Sequence, residues 1–185
     1  MGLSRAEFEA LYRSHATEIL GYLRRRGAGD DAQDLLADTF LTAWRRRDDL
    51  PDAAQRRAWL FGTARRLLLA LHRETTPMLP ASVLESWSPP RAVLDDGSAD
   101  AVRTVLAELP EADRELLTMT VWERLSVVEA GAVLGLSASA ARVRLHRIRA
   151  RLAKDPRITA LLPAEAPASR AAPTSISGQV IASHN

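Results

Sequence analysis

The chain has no cysteine, which excludes disulfides and thiolate zinc sites and fits a reducing compartment. Lysine is nearly absent: of 25 basic residues only Lys154 is a lysine, and the rest are arginine. Arginine suits bidentate contacts to phosphate and guanine, although genome composition alone can produce such a bias. No apolar run approaches the length of a bilayer span and the first residues lack a signal-peptide pattern, so a cytoplasmic protein with no membrane segment is expected. No internal repeat or glycine-rich phosphate loop is present. The four histidines (His15, His72, His146 and His184) are scattered, and no carboxylate cluster has the company a metal site needs. Neither an enzyme nor a metal or other cofactor is therefore expected.

What is present describes a globular protein. The 185 residues are 46% hydrophobic and 26% charged, enough for one medium domain or two small ones. The formal net charge is only +2, so a basic surface must come from arrangement rather than excess. Residues 1–75 hold 13 basic and 11 acidic residues, residues 76–100 hold one and four, and residues 111–154 hold eight and five. In that last segment every acid precedes Ala130, which leaves its end strongly positive.

The organising stretch runs from Ser126 to Lys154. Ser126 with Glu129 forms a capping box that opens one short helix, Gly135 permits a tight turn, and Ser137 caps a second helix. On a wheel of about 100° per residue, Ala141, Leu145, Ile148 and Leu152 share one stripe. Ser139, Val143, His146 and Arg147 fall opposite, flanked by Arg142 and Arg149 on one edge and Arg144 and Arg151 on the other. One apolar stripe with a basic remainder, presented after a sharp turn, has the shape and charge to enter a DNA major groove.

The preceding chain reads as helices. Ser4 and Glu7 form another capping box, and the helix they open continues to about Arg26 and stops at Gly27 and Gly29. His15 lies near its apolar stripe as a packed or edge residue. Asp30 and Asp31 open a second helix with Leu35, Leu36, Phe40, Ala43 and Trp44 on its buried side. Asp34 and Asp38 lie one turn apart on the other side, as a solvated or partner-facing strip rather than a metal site. After a polar loop, Asp52 and Gln55 cap a third helix reaching about Glu74, with Leu60, Ala64, Leu67 and Leu71 as the core stripe. Arg65, Arg66, Leu69, His72 and Arg73 fall on the exposed side with Trp59 near the edge, a composition that suits single-stranded nucleic acid. Four prolines and the Asp95-Asp-Gly-Ser turn make residues 76–100 a flexible linker, with a short helix near Leu84 to Trp87. A short helix over Ala101 to Leu109 follows. Pro110 then takes the first position of the next helix. Residues 155–185 read as a disordered tail.

The pattern is all-α: two small helical domains, residues 1–75 and 101–154, joined by a flexible linker, the second ending in a helix-turn-helix. In this it resembles the extracytoplasmic-function (ECF) sigma factors of bacteria over residues 7–152. Asp31-Ala-Gln-Asp-Leu-Leu-Ala-Asp-Thr-Phe-Leu-Thr-Ala-Trp44 is similar to the family's grip on the polymerase β′ clamp helices. Ala58-Trp-Leu-Phe-Gly-Thr-Ala-Arg-Arg-Leu67 is similar to its −10 segment, and Leu109-Pro-Glu-Ala-Asp-Arg-Glu-Leu-Leu117 with the helix-turn-helix to its −35 domain.

The resemblance implies core RNA polymerase (β′ clamp helices and β flap) and promoter DNA as partners. It also implies an anti-sigma factor as a possible regulator. It implies −35 contacts from Ser139, Arg142, Val143, Arg144, His146, Arg147 and Arg149. Contacts to the opened −10 strand would come from Arg56, Arg57, Trp59, Arg65, Arg66, His72 and Arg73, and polymerase contacts from Asp34, Leu35 and Asp38. The chain departs from the family's usual residues at Ala37, Arg66, Ala70, Gly131, Ala140 and Ala141, which implies an atypical promoter preference. The alternative is a helix-turn-helix regulator that never joins polymerase.

Overall fold

The computed structural model describes residues 2–75 and 98–161. Residues 76–97, with the helix expected near Leu84 to Trp87, lie outside the described residues, as does the tail from residue 162.

Three helices make the N-terminal unit: α1 (Arg5–Arg25), α2 (Ala32–Arg45) and α3 (Ala53–Thr75). The Ser4 hydroxyl accepts from the Glu7 amide at 3.3 Å, and the Glu7 carboxylate accepts from the Ser4 amide at 2.8 Å, so the expected capping box forms. Past Arg26, Gly27 turns the chain at φ 80°, a conformation that costs glycine little. A short 3-10 turn, Gly29–Asp31, then leads into α2. Ile19, Tyr22 and Leu23 of α1 meet Leu36, Phe40 and Ala43 of α2 and Leu60, Phe61 and Ala64 of α3 in the core. Edge-to-face ring pairs tie it together, Tyr12 to Phe40 at 4.7 Å and Tyr22 to Phe61 at 5.3 Å.

The C-terminal unit comprises α4 (Ser98–Ala107), α5 (Glu111–Val121), α6 (Val127–Val133), α7 (Ala138–Leu152) and the single turn α8 (Pro156–Thr159). The helix expected from Ala101 begins at Ser98, inside the stretch read as linker. The chain read as tail from Asp155 starts with α8. There Asp155 accepts from the Arg157 amide at 2.9 Å, and Arg157 reaches Glu108 beyond the end of α4 at 2.7 Å. Proline and alanine content in that segment masked a cap that two residues suffice to make.

Arg114 is buried and donates to the carbonyls of Leu106 and Leu109, each at 3.4 Å. It thereby ties the end of α4 and the turn after it to α5. Burial pulls its guanidinium below its usual range.

The two units pack together, with α3 lying on α6. This changes the buried face of α3. The expected stripe of Leu60, Ala64, Leu67 and Leu71 becomes Leu60, Phe61, Ala64 and Leu68, with Leu67 and Leu71 half-buried. A wheel assumes one covered side, whereas α3 is covered by α1 and α2 on one flank and α6 on another.

Candidate nucleic-acid interface

The helix-turn-helix is built as its sequence requires. Ser126 accepts from the Glu129 amide at 3.2 Å while the Glu129 carboxylate accepts from the Ser126 amide at 2.8 Å, which starts α6. Gly135 takes φ 71° in the turn, and the Ser137 hydroxyl accepts from the Ala140 amide at 3.2 Å to start α7. Ala141, Leu145 and Ile148 are buried against the unit. Ser139, Arg142, Val143, His146, Arg147, Arg149 and Arg151 are exposed, and Val143, at 51% exposure, is an apolar residue in the middle of a polar face.

Arginines on this face differ in freedom. Arg144 is paired with Asp113 of α5 and is only half-exposed. Arg142, Arg147 and Arg149 make no ion pair among the described residues. With no ion pair to these three guanidinium groups among the described residues, the face around exposed Val143 is suited to an anion. Phosphates and guanine edges are the groups a major groove offers to such a surface.

The candidate −10 residues on α3 are in a different condition. Arg66 is exposed and donates to Thr63 of its own helix at 3.1 Å, and Arg73 is exposed near the helix end. Arg56 donates to the Pro51 carbonyl at 3.1 Å. His72, expected on the outer side, is half-buried, and its Nδ1 is buried without a hydrogen-bond partner among the described residues. Trp59 is half-buried, packs on the core, and lines a cleft of about 710 Å³ between α3 and α6 with Gln55, Arg65, Arg66, Val128 and Val133.

Arg57 and Arg65 face the C-terminal unit. Arg65 grips Glu115 of α5 through two parallel bonds of 2.8 Å, and Arg26 meets the same carboxylate at 3.2 Å. Arg57 binds Glu18 of its own unit at 2.8 Å and donates to the backbone carbonyl of Glu123 at 2.5 Å. Arg25 pairs with the Glu123 carboxylate. Burial holds the Glu123 carboxyl above its ordinary range, an effect that the bond from Arg25 only partly offsets. Glu18 behaves oppositely: burial raises it, but the bonds from Arg57 and His15 outweigh that and leave it below the usual range. Bonding to Glu115 keeps Arg65 firmly protonated.

On α2, Asp34 and Asp38 are exposed beside Ala37, as the sequence implies. Leu35, grouped with them as a polymerase contact, is buried at 7% and belongs to the core. An open apolar groove lined by Phe8, Tyr12, Leu36, Ala37, Leu41 and Trp44 runs between α1 and α2. Sequence reasoning missed Arg25, Arg26, Glu115 and Glu123 altogether. Their signal was the segregation of every acid of residues 111–154 before Ala130, in a chain whose first unit carries the arginine run 24–26.

Among the described residues no group of three or more histidines and carboxylates could hold a metal ion, and no helix is long and apolar enough to cross a membrane. The fold and this surface define a helical DNA-binding protein that presents a helix-turn-helix beside a second, arginine-bearing helical unit. Comparison with known proteins agrees unit by unit. The family model "Sigma-70 region 2" matches residues 11–76, and "Sigma-70, region 4" matches residues 99–152. The ECF RNA polymerase sigma factor SigF of Caulobacter vibrioides is 34% identical over 144 residues, covering 74% of this chain and 78% of that protein. The RNA polymerase sigma factor CarQ of Myxococcus xanthus is 32% identical over 145 residues, covering 76% and 83%. A solved structure of CnrH in complex with the cytosolic domain of CnrY matches with a TM-score of 0.57 at 29% identity, over 85% of this chain and 88% of that one. The chain belongs to the ECF RNA polymerase sigma factors, the initiation subunits that direct polymerase to promoters.

Proposed function

We propose that the exposed face of α7 reads the −35 element and that α3 handles the opened −10 strand, with residues 1–75 and 101–154 as the two DNA-directed domains. The observation that carries this reading is the trio Arg142, Arg147 and Arg149, without an ion pair among the described residues, around exposed Val143. Arginine bridges guanine O6 and N7 or phosphates, and the valine suits a thymine methyl. Ser139 and His146 add polar contacts at the same face. Arg144 contributes from the edge, oriented by Asp113. On α3, Arg56, Arg57, Arg65, Arg66, His72 and Arg73 supply charge and Trp59 a stacking surface for the melted strand.

The exposed Asp34 and Asp38 meet the β′ clamp helices of core polymerase, while Leu35 supports them from beneath. The C-terminal unit meets the β flap. The bond-forming chemistry belongs to polymerase, and the chain acts in the cytoplasm as a binding and positioning subunit rather than an enzyme. The structure of CnrH with CnrY supports a role for an anti-sigma partner here as well.

The test is association with core polymerase by a chain carrying Asp34→Arg. Wild type should co-elute with core enzyme on size exclusion, and the variant should lose that association while keeping its far-UV circular dichroism. Retained co-elution of the variant would remove Asp34 from the polymerase surface. Failure of wild type to co-elute, with duplex binding intact, would favour a stand-alone regulator.

A further inference from the structure

Asp113 stands in the first turn of α5, and its carboxylate accepts a hydrogen bond from Nε of Arg144 on α7. The two side chains border a hollow of about 530 Å³ whose other walls are Ala140, Val143 and Arg147. With Arg144, those α7 positions follow the i, i+3, i+4, i+7 spacing of one helix stripe. Exposed Val143 places that stripe on the outward face, beside the start of α5.

Arg144 differs from Arg142, Arg147 and Arg149 in having one side of its guanidinium already held. A guanidinium carries five N–H donors, one on Nε and the others on the two terminal nitrogens. Asp113 takes the Nε side, and the group makes no other hydrogen bond among the described residues. The Nη1–Nη2 end stays open, and it presents the parallel donors that match guanine O6 and N7. Its plane is set before DNA arrives, so less rotamer freedom is lost in the contact. Charge points the same way. The pair is neutral as a whole, and Asp113 puts a negative group where a phosphate would otherwise approach Arg144. Phosphate neutralisation then falls to the other arginines of the face. Ala140 and Val143 give the hollow an apolar wall, which accepts a neighbouring thymine methyl.

We propose that Asp113 is a specificity-determining positioning residue, which turns Arg144 from a phosphate contact into the reader of one guanine. The inference deepens the assignment of α7 to the −35 element and rests on it. Without Asp113, Arg144 swings to the backbone, gains affinity for any duplex and loses its preference for one base.

The test uses the whole chain. Duplexes are selected by wild type from a randomised pool, and each position of the resulting site is then replaced by the other base pairs. Wild type should prefer guanine by about tenfold at one position, and Arg144→Ala should be indifferent there. Asp113→Asn keeps the size of the side chain and removes its charge. It should cut the preference to about twofold or less at that position alone. It should also steepen the slope of log affinity against log salt by about one, as the released Arg144 finds a phosphate. Asp113→Glu returns a carboxylate and should return the guanine preference. In an Arg144→Ala background, Asp113→Asn should change nothing further, because Asp113 acts through Arg144. If Asp113→Asn loses helix content, Arg144→Lys serves instead. Lysine keeps the charge without the fork of donors, so the preference should fall while overall affinity holds.

A guanine preference that survives Asp113→Asn or Arg144→Lys overturns the proposal and leaves α7 as the reading helix. So does a uniform loss across all sequences, the result of a merely structural pair. A wild-type chain with no base preference at any position overturns the assignment of α7, and the proposal with it.

Discussion

Gly131 in α6 and Ala141 in α7 approach so closely that a methyl carbon added to Gly131 would sit 2.8 Å from the Ala141 Cβ. Both are buried. Two departures from the family's usual residues are thus one device that lets the helices of the helix-turn-helix meet. Read singly, Gly131 looks like a cost of up to about 1 kcal/mol in helix propensity. The contact outweighs that, because overpacking a tight site costs about 1–3 kcal/mol. Gly131→Ala should therefore lower stability in urea denaturation, and adding Ala141→Gly should recover part of the loss. A rise in stability for Gly131→Ala would show that the crossing can relax.

Tyr22 is fully buried, its hydroxyl has no hydrogen-bond partner among the described residues, and burial drives its pKa strongly upward. It lies close enough to Arg26, Glu115, Arg65 and Glu123 to feel their charges. A buried unsatisfied hydroxyl costs about 1–3 kcal/mol. Tyr22→Phe keeps the ring contact with Phe61 and removes that cost, so the thermal midpoint should hold or rise. A clear fall would reveal a partner for the hydroxyl.

Acid should act on the fold in two steps of opposite sign. Glu123 has its pKa raised in the fold, so its contribution is greatest in acid and is lost as pH rises through the raised value. Glu18 has its pKa lowered, so its contribution is present above about 4.5 and is lost as pH falls through the depressed value. Lowering the pH from 7 toward 4.5 should leave stability level or slightly improved, and stability should drop below that. Glu18→Gln should flatten the lower limb, and Glu123→Gln the upper one, in thermal midpoints taken across the range. A lower limb unchanged by Glu18→Gln would place the acid-sensitive group elsewhere.

On the recognition helix, free and tethered arginines should separate by experiment. Arg142→Ala and Arg147→Ala should each cost about 1–3 kcal/mol in binding a −35 duplex if they reach base edges, with selectivity blurred at one position. A phosphate contact would instead weaken all sequences alike and shallow the salt dependence. Asp113→Asn releases Arg144 and should raise affinity for unrelated duplex. Equal binding by all three variants would remove this face from DNA.

What could be read from the sequence was what neighbours in sequence decide. The Ser4–Glu7 and Ser126–Glu129 boxes, the Gly135 turn and the Ser137 cap each need only three or four residues, and all formed. The outward set on α7 was legible because one stripe of that helix is buried and the rest is not. On α3 the same arithmetic misplaced Leu67, Leu71 and His72, because a second covering surface comes from α6, more than fifty residues away in sequence. The partners of Arg57 and Arg65 were illegible for the same reason. A basic helix face looks identical in sequence whether water, DNA or a distant glutamate answers it.

The most direct test is run-off transcription by core polymerase with and without this chain on genomic fragments, with start sites mapped at their 5′ ends. The chain should create new start sites that share two upstream elements at one fixed spacing, and Arg142→Ala with Arg147→Ala should abolish them. No new start sites, from a chain that still binds duplex DNA, would contradict its role as a promoter-directing subunit.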